Sequence, residues 1–394
     1  MITYPPVRMS PFEPPELFGV LRRDSPVTKV QLSDGSEAWL VTRYEDIRAG
    51  YADLRLSSVA TRPGYPHLTA GIGASKRQDT SFLRQDPPEH DVQRRMVAPS
   101  FSVRRVEALR PKVQRIVDDV LDRMLEGSQP ADLIQAFALP VPSLVICELL
   151  GVPYSDHEFF QDKSMVTFQQ SATPEDVTEA VEELNAYLRK LITAKATDPG
   201  EDLLSDLVAE QMASGSLSED EIIVMARLML TAGHETTANM IGLATFLLLY
   251  QGDILDELRA DPALVPGAVD ELLRYTSIAH MSPVRVAKED TEIGGQVVRA
   301  GEGVILPLSA ANWDGEVFPN PDRLDIRRGA RNHMAFGYGP HTCVGQPLAR
   351  MELQVVVGTL FPRIPTIALV DPVEEIRFKF DGIFFGVHEL RVTW

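Results

Sequence analysis

HMAFGYGPHTCVGQPLAR, residues 333–350, puts one of the chain's two cysteines, Cys343, among glycines at 337, 339 and 345. A helix-like run follows from Gln346. Glycines in such a loop let backbone amides and carbonyls approach something closely. The other cysteine, Cys147, lies in PVPSLVICELLGVP, the pattern of a buried helix that stops at Gly151 and Pro153. It reads as a small packed hydrophobe, which leaves Cys343 without an evident disulfide partner. A structural zinc site or an iron–sulfur cluster generally needs four Cys or His ligands, and no second cysteine is near. A nucleophilic cysteine would want a base, and His341 is two residues away. The glycine-rich surroundings and the helix that follows suit a lone thiolate serving as axial ligand to haem iron, its charge stabilised by backbone N–H groups and the helix dipole.

The bulk of the chain is compatible with that chemistry. Its 394 residues are 44% hydrophobic and 24% charged, too apolar for disorder. The formal charge of -18 argues against nucleic acid as a partner. The N-terminal MITYPPVRMSPFEPPELF lacks the basic and apolar regions of a secretory signal, and the most apolar stretch, MIGLATFLLLY at 240–250, is too short to span a bilayer. These features predict a cytoplasmic protein with no membrane partner.

Outward from the cysteine, the texture predicts a mainly α fold with a minor β portion, in one large domain over 1–394. Residues up to about 60 hold strand-like pieces, PVTKVQL and AWLVTR, beside a turn at Asp34–Gly35. From about 61 to 282 the chain is helical, with amphipathic helices at 104–126, near 175–196 and at 201–213. The longest helix starts at SEDEIIVMARLML, where Ser218 and Glu221 have capping-box spacing. It runs to Tyr250, about 33 residues and roughly 50 Å at 1.5 Å per residue. It is apolar on almost every side and is expected in the core. From 283 to 394 the chain is β-rich, then irregular over 312–332, then the cysteine loop, a helix from 346 to about 361, and a terminal strand.

Within the long helix, AGHETT at 232–237 carries Glu235 and Thr236 among apolar residues. A zinc-protease helix would need a second histidine at 238, which is alanine. Unpaired buried carboxylates are expensive, so this pair points to a solvated cleft or a functional role. Gly233 costs about 1 kcal/mol against alanine, as expected if the helix opens there. Glu271 and Arg274, at i, i+3, read alone as a surface ion pair. His90 and Arg94, at i, i+4 in PPEHDVQRR, read alone as a solvated helix face.

Phe336, Gly339, His341, Cys343 and Gly345 resemble, position by position, the haem-ligand signature F-x-x-G-x-[RH]-x-C-x-G of the cytochrome P450 family. Three further stretches agree in order. AGHETT is similar to the family's oxygen-activation segment, ELLR at 271–274 to its E-x-x-R, and FPNPDRLD at 318–325 to the segment that supplies the pair's partner, here Arg323. PPEHDVQRR resembles the helix that holds a haem propionate. The likeness covers nearly the whole chain and is strongest to the soluble actinobacterial branch. Departures are Asp322 and Leu324, where Glu and Phe are commoner, and Trp313 in place of a frequent arginine.

This resemblance implies a haem-thiolate monooxygenase with haem b, its iron bound by Cys343. It implies propionate contacts from His90, Arg94, Arg285 and His341, packing by Phe336 and Gly345, and Ala232 beside the haem. It makes Thr236 the hydrogen-bonding partner of dioxygen and Glu235 the proton relay. Glu271, Arg274 and Arg323 become structural supports for the cysteine loop. The substrate pocket would draw on the 70–84 loop, the 165–175 region, Leu228, Thr231, Ala279, His280, Met281, Ile383 and Phe384. Those residues suit a mostly apolar molecule, a macrolide or other polyketide-like secondary metabolite, or a xenobiotic. No flavin or nicotinamide module is visible, so electrons are expected from a ferredoxin and ferredoxin reductase. The ferredoxin would dock on the basic runs 94–105 and 325–331 and on Arg350. A monomer is expected. A peroxide-driven peroxygenase and a non-catalytic haem sensor or carrier are the alternatives; neither needs the Glu235–Thr236 pair.

Overall fold

The two strand-like pieces near the N-terminus pair as a hairpin. Strands Val27–Gln31 and Glu37–Val41 pair antiparallel with Lys29 opposite Trp39. Gly35 turns the chain at φ 84°, and the Asp34 carboxylate accepts the Ser36 N–H at 2.9 Å. The computed structural model describes residues 2–68, 81–166, 173–279, 283–380 and 382–394. The fold is mainly α with small sheets, and it divides into two compact units.

The first unit comprises residues 1–92, 243–346 and 375–388. Its six-stranded sheet runs, in order, Ile2–Thr3, Val27–Gln31, Glu37–Val41, Gly303–Ile305, Val284–Ala287 and Leu56–Ser57. Alternation puts Val30, Leu40, Val304 and Val286 in its core. The helix Tyr44–Ala52 packs there through Ile47 and Tyr51, and its phenols tie it down. Tyr44 donates to Asn332 O at 2.7 Å, and Tyr51 to Leu306 O at 2.9 Å. A separate two-stranded ribbon, Thr291–Ile293 with Gln296–Val298, turns at Gly294–Gly295.

The second unit comprises residues 93–242, 347–374 and 389–394. Helix Val103–Glu126 buries Val106, Val113, Val117, Val120, Leu121 and Met124, the stripe its 3.6-residue period dictates. Helix Pro174–Thr197 starts with a capping box between Thr173 and Asp176. The segment expected as one helix at 201–213 is a short helix, Leu203–Asp206, continued by a wide turn, Leu207–Met212. Helix Pro140–Leu150 ends at Gly151, whose φ is 72°. A Cβ there would lie 2.2 Å from the Asp202 carboxyl carbon, so only glycine fits. Cys147 on this helix is buried, and burial pushes its thiol up to about 12. The C-terminal stretch read as strand is one only at Arg391–Thr393, which pairs with Ala368–Leu369 and Ala131–Asp132.

The long helix is Glu219–Tyr250, 32 residues without interruption. Its start is the expected capping box: Glu221 N–H donates to Ser218 Oγ at 3.3 Å, and Ser218 N–H to Glu221 Oε2 at 2.8 Å. Gly233 does not open it. A Cβ at Gly233 would sit 3.1 Å from Ile146 Cδ1, so the helix Pro140–Leu150 packs closely against this glycine. No single helix among the described residues is long and apolar enough to cross a membrane.

Candidate active site

The cysteine loop is built by two left-handed glycines. Gly337 has φ 73° and Gly339 φ 71°. At Gly339 a Cβ would also come within 2.7 Å of Tyr51 O, so the loop lies directly on the helix Tyr44–Ala52. Gly337 N–H donates to Met334 O at 2.8 Å, and Cys343 N–H to Phe336 O at 2.8 Å. These bonds close the loop and leave Cys343 exposed. Gly345 lies between Cys343 and the start of helix Gln346–Arg363. The Phe336 ring packs 5.7 Å from that of buried His333. Arg48 covers the neighbouring Tyr338, its guanidinium 4.6 Å from the ring and its Nη2 donating to the phenol at 2.8 Å.

Beside the loop, His341 meets His90. Their rings are 4.2 Å apart, and His341 Nε2 lies 3.0 Å from Ser58 Oγ. Asp86 sets Ser58 in place, accepting its N–H at 2.9 Å and the Ser57 hydroxyl at 2.6 Å. His90 is fully buried on helix Glu89–Val97. Its Nδ1 is 2.7 Å from Asp91 Oδ1, while its buried Nε2 meets no hydrogen-bond partner among the described residues. Arg94, half-buried, is one turn further along the same helix. Arg285, on strand Val284–Ala287, is also buried; its guanidinium donates to Val284 O at 3.0 Å and no carboxylate pairs with it among the described residues. Burial lowers its pKa.

An orphaned buried imidazole N and a buried guanidinium without a carboxylate are what an anionic group needs to find. An exposed thiol in a glycine-turned loop is what an iron with one protein ligand needs. No cluster of three or more His, Cys, Asp or Glu exists among the described residues to suggest another metal. These residues fit haem.

The Glu271–Arg274 pair is not at the surface. Both side chains are 0% exposed and joined by two bonds of 2.8 Å. Arg274 also donates to Asn312 O at 2.9 Å and Pro321 O at 3.0 Å. The third member differs from the expected Arg323, which is exposed and offers only its carbonyl. Arg328 takes the role: its Nε donates to Glu271 Oε1 at 3.0 Å, and its Nη2 to Arg323 O at 2.8 Å. Arg328 is therefore also withdrawn from the basic run expected to face a ferredoxin. Trp313, the departure from the family pattern, is accommodated by its Nε1–H donating to Tyr275 O at 3.0 Å.

In the second unit, the middle of the long helix carries Ala232, exposed, and Thr236, half-buried. Thr236 donates its hydroxyl hydrogen to Ala232 O at 2.7 Å. Asn239 Nδ2 lies 2.9 Å from both Glu235 O and Glu235 Oε1. Asn239 was not expected, although its i, i+4 spacing from Glu235 was visible. Ser58 carried no sequence signal at all. Of the expected pocket residues, Leu228 and Thr231 are half-buried on this helix, where Thr231 donates to Arg227 O at 2.9 Å. In the first unit, Ala279 bridges Phe384 across an antiparallel contact, next to exposed Ile383. His280, Met281 and parts of the 70–84 and 165–175 segments lie outside the described residues.

The model of the family described as Cytochrome P450 matches residues 35–364. The chain belongs to the cytochrome P450 family. This P450 is 51% identical over 384 residues to Cytochrome P450-SU2 of Streptomyces griseolus, covering 98% of this chain and 94% of that protein. It is 46% identical over 393 residues to pentalenic acid synthase of Streptomyces avermitilis, covering 100% and 97%. The crystal structure of the mycinamicin VIII C21 methyl hydroxylase MycCI from Micromonospora griseorubida, bound to mycinamicin VIII, superposes with a TM-score of 0.93 at 41% identity, covering 100% of both chains. This P450 is a monooxygenase with haem b as cofactor, the group that buried His90 and Arg285 and the cysteine loop fit.

Proposed function

We propose that this P450 hydroxylates a largely apolar secondary metabolite, with electrons from a separate ferredoxin and its reductase. One atom of O2 enters a C–H bond of the substrate; two electrons and two protons take the other atom to water. Haem held through the Cys343 thiolate would supply the redox chemistry.

The observation that carries the reading is the fixed polar pair on the long helix. Because Thr236 spends its hydrogen on Ala232 O, its oxygen acts as an acceptor for a proton-bearing partner. Asn239 holds the Glu235 carboxylate at Oε1, so protons would be handed on from a fixed position. A carrier or a peroxide-driven enzyme has no use for such a relay. His90, Arg94, Arg285 and His341 would orient the cofactor through its propionates by charge-assisted bonds.

The substrate class follows from likeness to pentalenic acid synthase and to the mycinamicin hydroxylase. In the first unit, Ala279, Ile383 and Phe384 would offer a mostly apolar surface to such a molecule. Exposed Arg95 and Arg104 offer positive charge to an acidic ferredoxin. Spectral titration of the purified holoenzyme against a panel of macrolides and terpenoids tests the reading, followed by product analysis with a surrogate ferredoxin and reductase. A ligand that shifts the spin state and is converted to an alcohol supports it; spin-shifting ligands that return only unmodified compound and peroxide would overturn it.

A further inference from the structure

We infer that Asn312 is the positioning residue that ties the cysteine loop to the buried Glu271–Arg274 pair, and so sets how firmly Cys343 holds the haem iron. Asn312 ends the short helix Leu308–Asn312 and is 0% exposed. It makes three connections at once. Its carbonyl accepts Arg274 Nη1 at 2.9 Å, its Oδ1 accepts the Met334 N–H at 2.6 Å, and its Nδ2 donates to Ser277 Oγ at 2.8 Å. The amide orientation is unambiguous, since only the oxygen can receive a backbone N–H.

Each connection leads somewhere constrained. Ser277 caps helix Val265–Thr276 in a left-handed conformation, φ 43°, and its hydroxyl donates to Arg274 O at 2.8 Å. A non-glycine residue there is strained and persists only when its surroundings fix it. Met334 opens the cysteine loop: its carbonyl takes the Gly337 N–H at 2.8 Å, and Phe336 O takes the Cys343 N–H at 2.8 Å. Hydrogen bonds thus run from the bidentate ion pair through one asparagine to the loop that presents the sulfur. Asn312 bonds both Arg274 and Met334, one on each side of that connection. All its groups are buried, so a loop displaced from Met334 would strand an amide oxygen and a backbone N–H together. Outer-shell bonds of this kind fix the orientation of a metal ligand.

The test compares Asn312→Leu, which removes both side-chain bonds, with Asn312→Asp, which keeps an oxygen for Met334 and loses the donor to Ser277. In the holoenzyme, haem transfer to an apomyoglobin acceptor should be roughly tenfold faster in Asn312→Leu, at the low end of outer-shell effects on metal affinity. Its ferrous–carbon monoxide band should drift from the red-shifted thiolate position; Asn312→Asp should retain that position. In the apoproteins, amide hydrogen exchange at Met334, Gly337 and Cys343 should quicken in Asn312→Leu while the strand Glu37–Val41 stays protected. A haem transfer rate and loop exchange like those of the unaltered chain would overturn the inference, as would equal loss of protection in strand and loop. Should Asn312→Leu not fold, Asn312→Asp decides: loss of both the thiolate band and Met334 protection despite its retained oxygen overturns the assignment. No readout uses substrate or ferredoxin, so failure of the proposed reaction would not mimic failure here.

Discussion

Arg328 Nε lies 3.0 Å from Glu271 Oε1, an oxygen that Arg274 Nη2 already meets at 2.8 Å. One buried carboxylate therefore serves two guanidinia, and the second comes from the residue after Arg327 rather than from Arg323. Removing one member of a buried ionic network leaves uncompensated charge. Arg328→Leu should cost about 3 kcal/mol in thermal or denaturant unfolding, while Arg323→Leu stays within about 0.5 kcal/mol as an exposed side chain. Equal effects at the two positions would contradict the assignment.

Thr236→Ala should uncouple turnover. With the acceptor oxygen gone, NADH consumption continues through surrogate redox proteins, hydrogen peroxide rises and product falls by roughly tenfold or more. The substrate-induced spin shift should keep its midpoint within about twofold, because ground-state binding is untouched. Glu235→Gln should instead slow NADH consumption itself. Unchanged coupling in Thr236→Ala would remove its role.

His90→Leu should weaken haem retention about tenfold, the equivalent of one lost charge-assisted hydrogen bond. The measurement is haem transfer to a scavenger, and the thiolate band of the remaining holoenzyme should not move. A shifted band would mean that His90 acts on the iron ligand rather than on the far end of the cofactor.

Glu352, on helix Gln346–Arg363, is buried with Oε2 unpartnered among the described residues, and burial raises its pKa well above 4.5. The folded state therefore keeps a proton that the unfolded chain releases once pH passes about 4.5. That linkage stabilises fully below the unfolded value and is lost as pH rises through the folded one. Glu352→Gln should flatten this slope: as pH rises above about 4.5, the variant should gain stability relative to the unaltered chain in urea titrations. Parallel pH profiles would show that the carboxyl is ionised and paired in solution.

The sequence was most readable where function is written into backbone conformation. Gly337, Gly339 and Cys343 announced the loop because left-handed turns and a solitary thiol are local facts. The long helix was readable because its capping box and apolar run need no tertiary information. Gly233 suggested an opened helix by its cost, but the helix runs through it unbroken, and its neighbour Ile146, at 3.1 Å, lies on another helix and leaves no trace in spacing. Arg323 and Arg328 sit five residues apart in an irregular stretch without a period. There the direction of a side chain is set by turns such as Asn320, φ 51°, and Gly329, φ 68°. Asn312 and Ser58 were silent for the same reason, since their partners are 22 or more residues away. The buried state of Glu271 and Arg274 could not be told from an exposed i, i+3 pair by spacing alone.

Trp313 gives the molecule an optical gauge of its own. The chain has three tryptophans, and Trp313 is 8% exposed, adjoins Asn312 and lies 5.1 Å from the Tyr275 ring. Its indole is therefore screened from water at the junction where helix Val265–Thr276 and helix Leu308–Asn312 meet. With Trp39 and Trp394 replaced by phenylalanine, intrinsic emission would follow that junction alone, and its wavelength would register loosening behind the sulfur ligand in real time, without a label.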